Sequence, residues 1–315
     1  MGKVAFVFPG QGSQFVGMGQ ELAEQSAAAR RIFEQADEAL GFSLSRLCFE
    51  GPEEELRLTA NTQPAILTAS IAVLEALREK QPGVQADFYA GHSLGEYSAL
   101  VAAGALSFTD AVRTVRARGQ FMEQAVPAGQ GAMAAVLGLE RDALHALCEE
   151  VSGGGHPVQL ANMNCPGQIV ISGSAEGVKQ AGEKAKASGA KRVLALNVSG
   201  PFHSSLMQPA AEQLQAVLSN VNVQNAAVPV VANVSARPVS EAGAIIDSLI
   251  QQVAAPVLWE DSVQWMAEQG VTTFVEVGPG KVLSGLIKKI APADTKIVSV
   301  QDMESLTELL NGGVL

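Results

Sequence analysis

The chain has 315 residues, enough at about 150 residues per domain for two domains or for one large domain carrying an insert. Hydrophobic residues make up 47% and charged residues 17%, a globular composition that excludes general disorder and supports a core needing no disulfide or metal staple. Lys and Arg number 21 against 32 Asp and Glu, and the net charge of −11 excludes sequence-independent nucleic-acid binding and a polybasic membrane anchor, which both rely on cations facing phosphate.

The apolar run at residues 4–8 ends in Pro9-Gly10-Gln11-Gly12 and reads as a buried strand followed by a tight loop. Helices are predicted over residues 18–40 and 63–80, the second stopped by Gln81-Pro82-Gly83. A short strand at 88–90 leads into Gly91-His92-Ser93-Leu94-Gly95 and a small-residue helix ending near residue 103. Residues 110–126 form a further helix, closed by Pro127 and Gly129. Wholly apolar strands alternating with helices predict an α/β fold with a mostly parallel sheet. Then the order changes. A strand at 133–137, a helix at 141–151, strands at 158–162 and 168–172, a helix at 176–188 and a strand at 192–198 give β-α-β-β-α-β, the ferredoxin-like pattern. A helix at 206–218, strands at 228–233 and 273–277 and a helix at 282–290 resume the first style. The expected organisation is a large α/β domain in two parts, residues 1–129 and 200–315, with a small domain inserted at 130–199.

Cys48, Cys148 and Cys165 are far apart, with no C-x-x-C or H-x-x-x-H, so no metal site is expected and a reducing compartment suits the chain. The first apolar run is too short for a signal peptide, and the stretch 64–77 is too short to cross a bilayer, so the expected location is cytoplasmic, away from membranes. Gly10-x-Gly12 has Phe15 where a dinucleotide fingerprint needs its third glycine, and Gly278-Pro279-Gly280-Lys281-Val282 lacks P-loop spacing. Neither a nicotinamide cofactor nor nucleotide hydrolysis is expected.

Gly91-His92-Ser93-Leu94-Gly95 matches G-x-S-x-G between a strand and a helix, the context in which a serine is held exposed on a sharp turn in an α/β-hydrolase-like core. A serine nucleophile needs a base, and the chain has four histidines. His92 adjoins the nucleophile and should point away across the turn, His145 sits on a small-domain helix, and His156 lies in a glycine-rich loop. His203, in Gly200-Pro201-Phe202-His203-Ser204 where the large domain resumes, is the candidate base. No Asp between Ser93 and His203 is placed to orient the imidazole. The orienter is then a backbone or amide carbonyl, or Asp247 or Asp261 from downstream.

Taken together, Phe8-Pro9-Gly10-Gln11-Gly12-Ser13-Gln14, Gly91-His92-Ser93-Leu94-Gly95-Glu96, Gly200-Pro201-Phe202-His203-Ser204 and Val277-Gly278-Pro279-Gly280 resemble the malonyl-CoA:acyl carrier protein transacylases of type II fatty acid synthesis. The resemblance implies ping-pong transfer of a malonyl group from malonyl-CoA to the phosphopantetheine thiol of holo acyl carrier protein, supplying extender units. The CoA thioester is then a substrate and no cofactor is needed. It further implies Ser93 as the acylated nucleophile, His203 as base and acid, and Gln252 as the residue whose carbonyl orients the histidine, with Gln251 as its neighbouring rival. Backbone N–H groups of Gln11 and Leu94 would form the oxyanion hole. Arg118 would grip the malonyl carboxylate. Helical periodicity by itself barely separates Arg118 from Arg116. Asn162, Met122, Phe202 and Val282 resemble residues lining the acyl site. An acidic carrier protein would need a local basic patch on a chain of −11, for which Lys191, Arg192, Lys288 and Lys289, with Lys281, are candidates. Without the resemblance, the same turn also fits a serine hydrolase or thioesterase, or a non-catalytic carrier-protein binder.

Overall fold

A computed structural model describes residues 2–313. Ten strands form two sheets. β1 (Lys3–Phe8), β2 (Phe88–Gly91), β7 (Val230–Ala232), β8 (Arg237–Val239), β9 (Val271–Val277) and β10 (Lys296–Val300) make the larger one, in the order β10-β9-β1-β2-β7-β8. All its pairings are parallel except β7 with β8. β1 is central, and Ala5 to Phe8 are fully buried, as a parallel strand covered on both faces requires. The helix Thr59–Lys80 runs through the core and is buried on nearly every side from Thr59 to Leu77, its polar residues there being mostly small hydroxyls.

The smaller sheet holds β3 (Gly131–Leu137), β4 (Val158–Cys165), β5 (Gln168–Ser174) and β6 (Arg192–Ala195), ordered β4-β5-β3-β6 and wholly antiparallel. With the helices Arg141–Gly153 and Ala175–Ala187 this is the ferredoxin-like arrangement expected from the element order. The period-2 alternation of β3 divides its side chains. Ala134 and Val136 enter a core with Leu144, Cys148 and Ala181, whereas Met133 and Ala135 join the core of the larger unit. β4 of the smaller sheet is stitched to the segment between the helices Ala242–Ala254 and Trp259–Glu268 where the Met163 N–H donates to the Val257 carbonyl and the Val257 N–H to the Ala161 carbonyl, at 2.9 and 2.8 Å. Arg141 adds a two-pronged bond to Asp261, at 3.0 and 2.9 Å.

Several elements differ from their expected form. The helix expected at 18–40 is two, Gln20–Gln25 and Ala27–Leu40, because Ser26 turns extended and caps the second by accepting from the Ala29 N–H. The helix expected from residue 63 starts at Thr59, and Pro64 lies within it. The strand expected to reach 198 stops at Ala195. Helices Leu44–Glu50, Glu53–Leu56, Ala242–Ala254, Trp259–Glu268 and Met303–Asn311, with β8 and β10, were not expected. No helix among the described residues is long and apolar enough to cross a membrane.

Candidate active site

Three neighbouring parallel strands converge at their carboxyl ends, where open α/β sheets place their ligands. Phe8 of β1 lies in register with Gly91 of β2, so the loop carrying Gln11 and the turn carrying Ser93 leave the sheet at one level. Asn233 follows β7 directly. At the turn, a Cβ on Gly91 would sit 1.9 Å from the Gly95 carbonyl carbon, and one on Gly95 2.1 Å from the Phe8 oxygen. Only hydrogen fits at either position, which is why the motif spaces its glycines so. Ser93 is left with a φ of +52°, a left-handed conformation that costs a side-chain-bearing residue about 1–2 kcal/mol. Asn233 holds it there. Its Oδ1 accepts from the Ser93 N–H at 2.7 Å, and its Nδ2 donates to the Gly91 carbonyl at 2.7 Å.

Ser93 Oγ lies 2.8 Å from His203 Nε2, across a separation of 110 residues. His203 Nδ1 lies 2.8 Å from the backbone carbonyl of Gln252, which requires the proton on Nδ1 and leaves Nε2 as the acceptor. The orienting group is thus a peptide oxygen. Asp261 is committed to Arg141 instead. Burial, the nearby Arg118 charge and His92 hold His203 far below the ordinary imidazole value, at about 3, against the opposing pull of backbone bonds. The imidazole is neutral throughout the physiological range.

Arg118, not Arg116, reaches the serine. Arg116 bonds the Ala60 carbonyl and Asn61 and stacks over Phe42. Arg118 is 1% exposed. Its Nη1 donates to Gln63 Oε1 at 2.8 Å, and its Nη2 donates to Gln252 Oε1 at 3.0 Å and to Ser93 Oγ at 3.2 Å. Its Nε is buried without a partner, and among the described residues no carboxylate forms an ion pair with it. Burial lowers its pKa, but arginine starts so high that the charge persists. A desolvated cation satisfied only by neutral oxygens is poised to receive an anion.

A small cavity of about 110 Å³ joins these groups, lined among others by Gln11, Ser93, Leu94, Arg118, Met122, Asn162, Phe202 and His203. The N–H groups of Gln11 and Leu94 take no partner among the described residues, and Leu94 stands at the start of the helix Gly95–Ala102, where free donors and the positive dipole end point outward. Met133, Leu196 and Val198 complete the apolar wall. Val282 is a correction. It opens the helix Val282–Ile290, whose inner face is Leu283, Leu286 and Ile287, and it stands half exposed outside the cavity. His92 lies along the cavity wall, its ring against Trp259 and bonded to Asn164 Oδ1 at 2.8 Å. Lys191, Arg192, Lys281, Lys288 and Lys289 are all exposed. Arg192 pairs with Leu137, which pairs with Gln168, and Gln168 accepts from Lys289, so the two cationic pairs gather at one end of the smaller sheet. No group of three or more His, Cys, Asp or Glu able to hold a metal occurs among the described residues.

Four contributors were given no role by the sequence. Gln63, Glu96, Asn233 and the side chain of Gln252 are separated by up to 189 residues, and only the fold brings them together.

The profile of the acyl transferase domain matches residues 5–307. The chain belongs to the acyl transferase family. This acyl transferase is 59% identical over 306 residues to the malonyl CoA-acyl carrier protein transacylase of Bacillus subtilis, covering 97% of this chain and 96% of that one. It superposes with a TM-score of 0.94 on the crystal structure of an acyl-carrier-protein S-malonyltransferase from Bartonella henselae, at 47% identity over 99% of each chain. It is similar also to a malonyl-transacylase solved in complex with a type II PKS acyl-carrier protein, with a TM-score of 0.94 at 44% identity over 99% of this chain and 100% of that one.

Proposed function

We propose that this acyl transferase moves the malonyl group from malonyl-CoA to the phosphopantetheine thiol of holo acyl carrier protein, through a malonyl-serine on Ser93. The observation that carries the proposal is Arg118 Nη2 within 3.2 Å of Ser93 Oγ, buried and lacking an anionic partner. In a malonyl group the carboxylate carbon is two bonds, about 2.5 Å, from the carbonyl carbon that Oγ attacks. A guanidinium this close to Oγ can take that carboxylate as a two-pronged fork. The names of the relatives point to the same substrate pair.

In this reading Ser93 Oγ attacks the thioester carbonyl while its proton passes to His203 Nε2. The negative oxygen forms against the Gln11 and Leu94 N–H groups, each such donor supplying about 3 kcal/mol of barrier lowering. Collapse breaks the C–S bond, and CoA leaves with the proton from His203. The carrier-protein thiol then gives its proton to His203, attacks the ester, and returns Ser93 to its hydroxyl form. Met122, Asn162 and Phe202 shape the acyl site. The Lys191, Arg192, Lys288 and Lys289 patch, with Lys281 beside it, receives the acidic carrier protein. Residues 130–199 act as an inserted domain closing the cavity over residues 1–129 and 200–315. No resident cofactor takes part, and the setting is cytoplasmic.

Mass spectrometry after mixing with malonyl-CoA tests the proposal. A malonyl adduct mapped to Ser93 and discharged by holo carrier protein is the expected result. CoA release without an acceptor, faster than transfer, would make the protein a thioesterase, and no adduct would leave it a binder.

A further inference from the structure

One buried carboxylate has no part in these steps. Glu96 follows the nucleophile by three residues and is 1% exposed. Its Oε2 accepts from the Asn233 N–H at 2.9 Å and from Gln252 Nε2 at 2.8 Å. The other end of that amide, Gln252 Oε1, accepts from Arg118 Nη2. A single side-chain amide therefore links the carboxylate to the guanidinium that touches Ser93. Both bonds fall on Oε2, so Oε1 can gain or lose a proton without disturbing either.

We propose that Glu96 is a positioning residue that sets specificity: one amide away from Arg118, its charge state decides how strongly the acyl site attracts an acyl group bearing a carboxylate. This rests on the reading of Arg118 as the carboxylate grip. With Glu96 ionised, an incoming carboxylate shares one guanidinium with a second anion, in surroundings too dry to screen their repulsion. With Glu96 neutral, Arg118 faces the substrate alone. Burial raises the Glu96 carboxyl to about 7, outweighing the Asn233 and Gln252 bonds and the Arg118 charge, which pull it down. An arriving carboxylate raises it further, so binding takes up a proton and weakens as pH rises.

The titratable groups around Glu96 are Arg118 from the helix Phe108–Gln124, Tyr97 on its own helix, and His203 and His92 beyond Arg118. Burial holds both imidazoles below their ordinary value and the phenol above its own. Arg118 keeps its charge. Among these, Glu96 is the one group whose charge changes near neutrality.

The test compares malonyl-CoA with acetyl-CoA in wild type and Glu96→Gln, with holo carrier protein as acceptor, over about pH 6 to 9. The glutamine oxygen can accept both bonds that Oε2 accepts, so the geometry is kept. The malonyl-to-acetyl ratio of kcat/KM should fall about tenfold with rising pH in wild type, as one ionisation predicts for a linked site. In the variant it should stay level, about fivefold or more above wild type at the alkaline end. Parallel profiles in the two proteins overturn the proposal, as does a loss in the variant that is equal for both substrates at every pH.

Should the variant fail to fold, calorimetry of malonyl-CoA binding to Ser93→Ala, in two buffers of different ionisation enthalpy, reads the proton directly. Acetyl-CoA, with the same phosphates, is the reference. Net uptake near pH 7 relative to acetyl-CoA supports the proposal and equal uptake overturns it. Absence of malonyl transfer by wild type would instead refute the functional reading itself.

Discussion

Replacing Arg118 with alanine separates the recognition of a carboxylate from every other task of the site. A two-pronged guanidinium–carboxylate contact comprises two charged hydrogen bonds, each contributing about 1.5–3 kcal/mol. Their loss should lower kcat/KM for malonyl-CoA by about 10² to 10⁴. The substitution also leaves Gln63 Oε1 and Gln252 Oε1 without the donors they hold at 2.8 and 3.0 Å, a cost shared by any substrate. Acetyl-CoA has no carboxylate and measures that shared cost. The assay is therefore transfer of both acyl groups to holo carrier protein, read as the malonyl-to-acetyl ratio. Arg118→Lys should recover little of the ratio, because one ammonium cannot span Gln63, Gln252 and a substrate fork together. A malonyl-to-acetyl ratio in Arg118→Ala within about twofold of wild type would refute the reasoning, whatever happened to the absolute rates.

Other consequences are equally measurable. His203 is held at about 3, so its Nε2 stays an acceptor as pH falls, and acetyl transfer should show no acid limb between about pH 6 and 8. The same depression makes native stability fall as pH drops from the ordinary histidine value of 6.5 toward 3, since the unfolded chain takes up the proton first; His203→Gln should flatten that part of the urea-midpoint profile. Arg141→Ala and Asp261→Ala should each cost about 1 kcal/mol or less, the pair being a third exposed, and the double variant should be no worse than either in urea unfolding. Reversing charge at Arg192 and Lys289 together should raise the carrier-protein KM about tenfold while leaving malonyl loading from CoA intact, and an unchanged KM removes the patch.

Local chemistry decides which features could be read from sequence. The Ser93 turn was legible because its glycines, its strand and its helix are contiguous. The small unit was legible because six elements follow one another in order. His203 emerged by eliminating three rivals, which works only in a chain poor in histidine. Arg118 did not separate from Arg116, since both border one helix face and the deciding contacts, Gln63 and Gln252, come from distant segments. Asn233 and Glu96 escaped for the same reason: an amide after a strand and an acid in a helix are ordinary until three strand ends meet. Val282 was apolar and beside a glycine loop, but its helix turns Leu283 and Ile287 inward instead. Ser26 shows how one hydroxyl splits an otherwise continuous pattern.

The oxygen behind His203 has a broader consequence. A carboxylate there would offer a full negative charge to the imidazolium, whereas the Gln252 carbonyl, at 2.8 Å, offers only a dipole. Such a weak support suits departing groups that hardly need help, and a thiolate, with an ordinary value near 8.5, is one. Amines are far more basic, and the one oxygen the site must expel, that of Ser93, has His203 Nε2 at 2.8 Å to return its proton. The backbone of one glutamine thus tilts the site toward thioesters and away from the peptides around it.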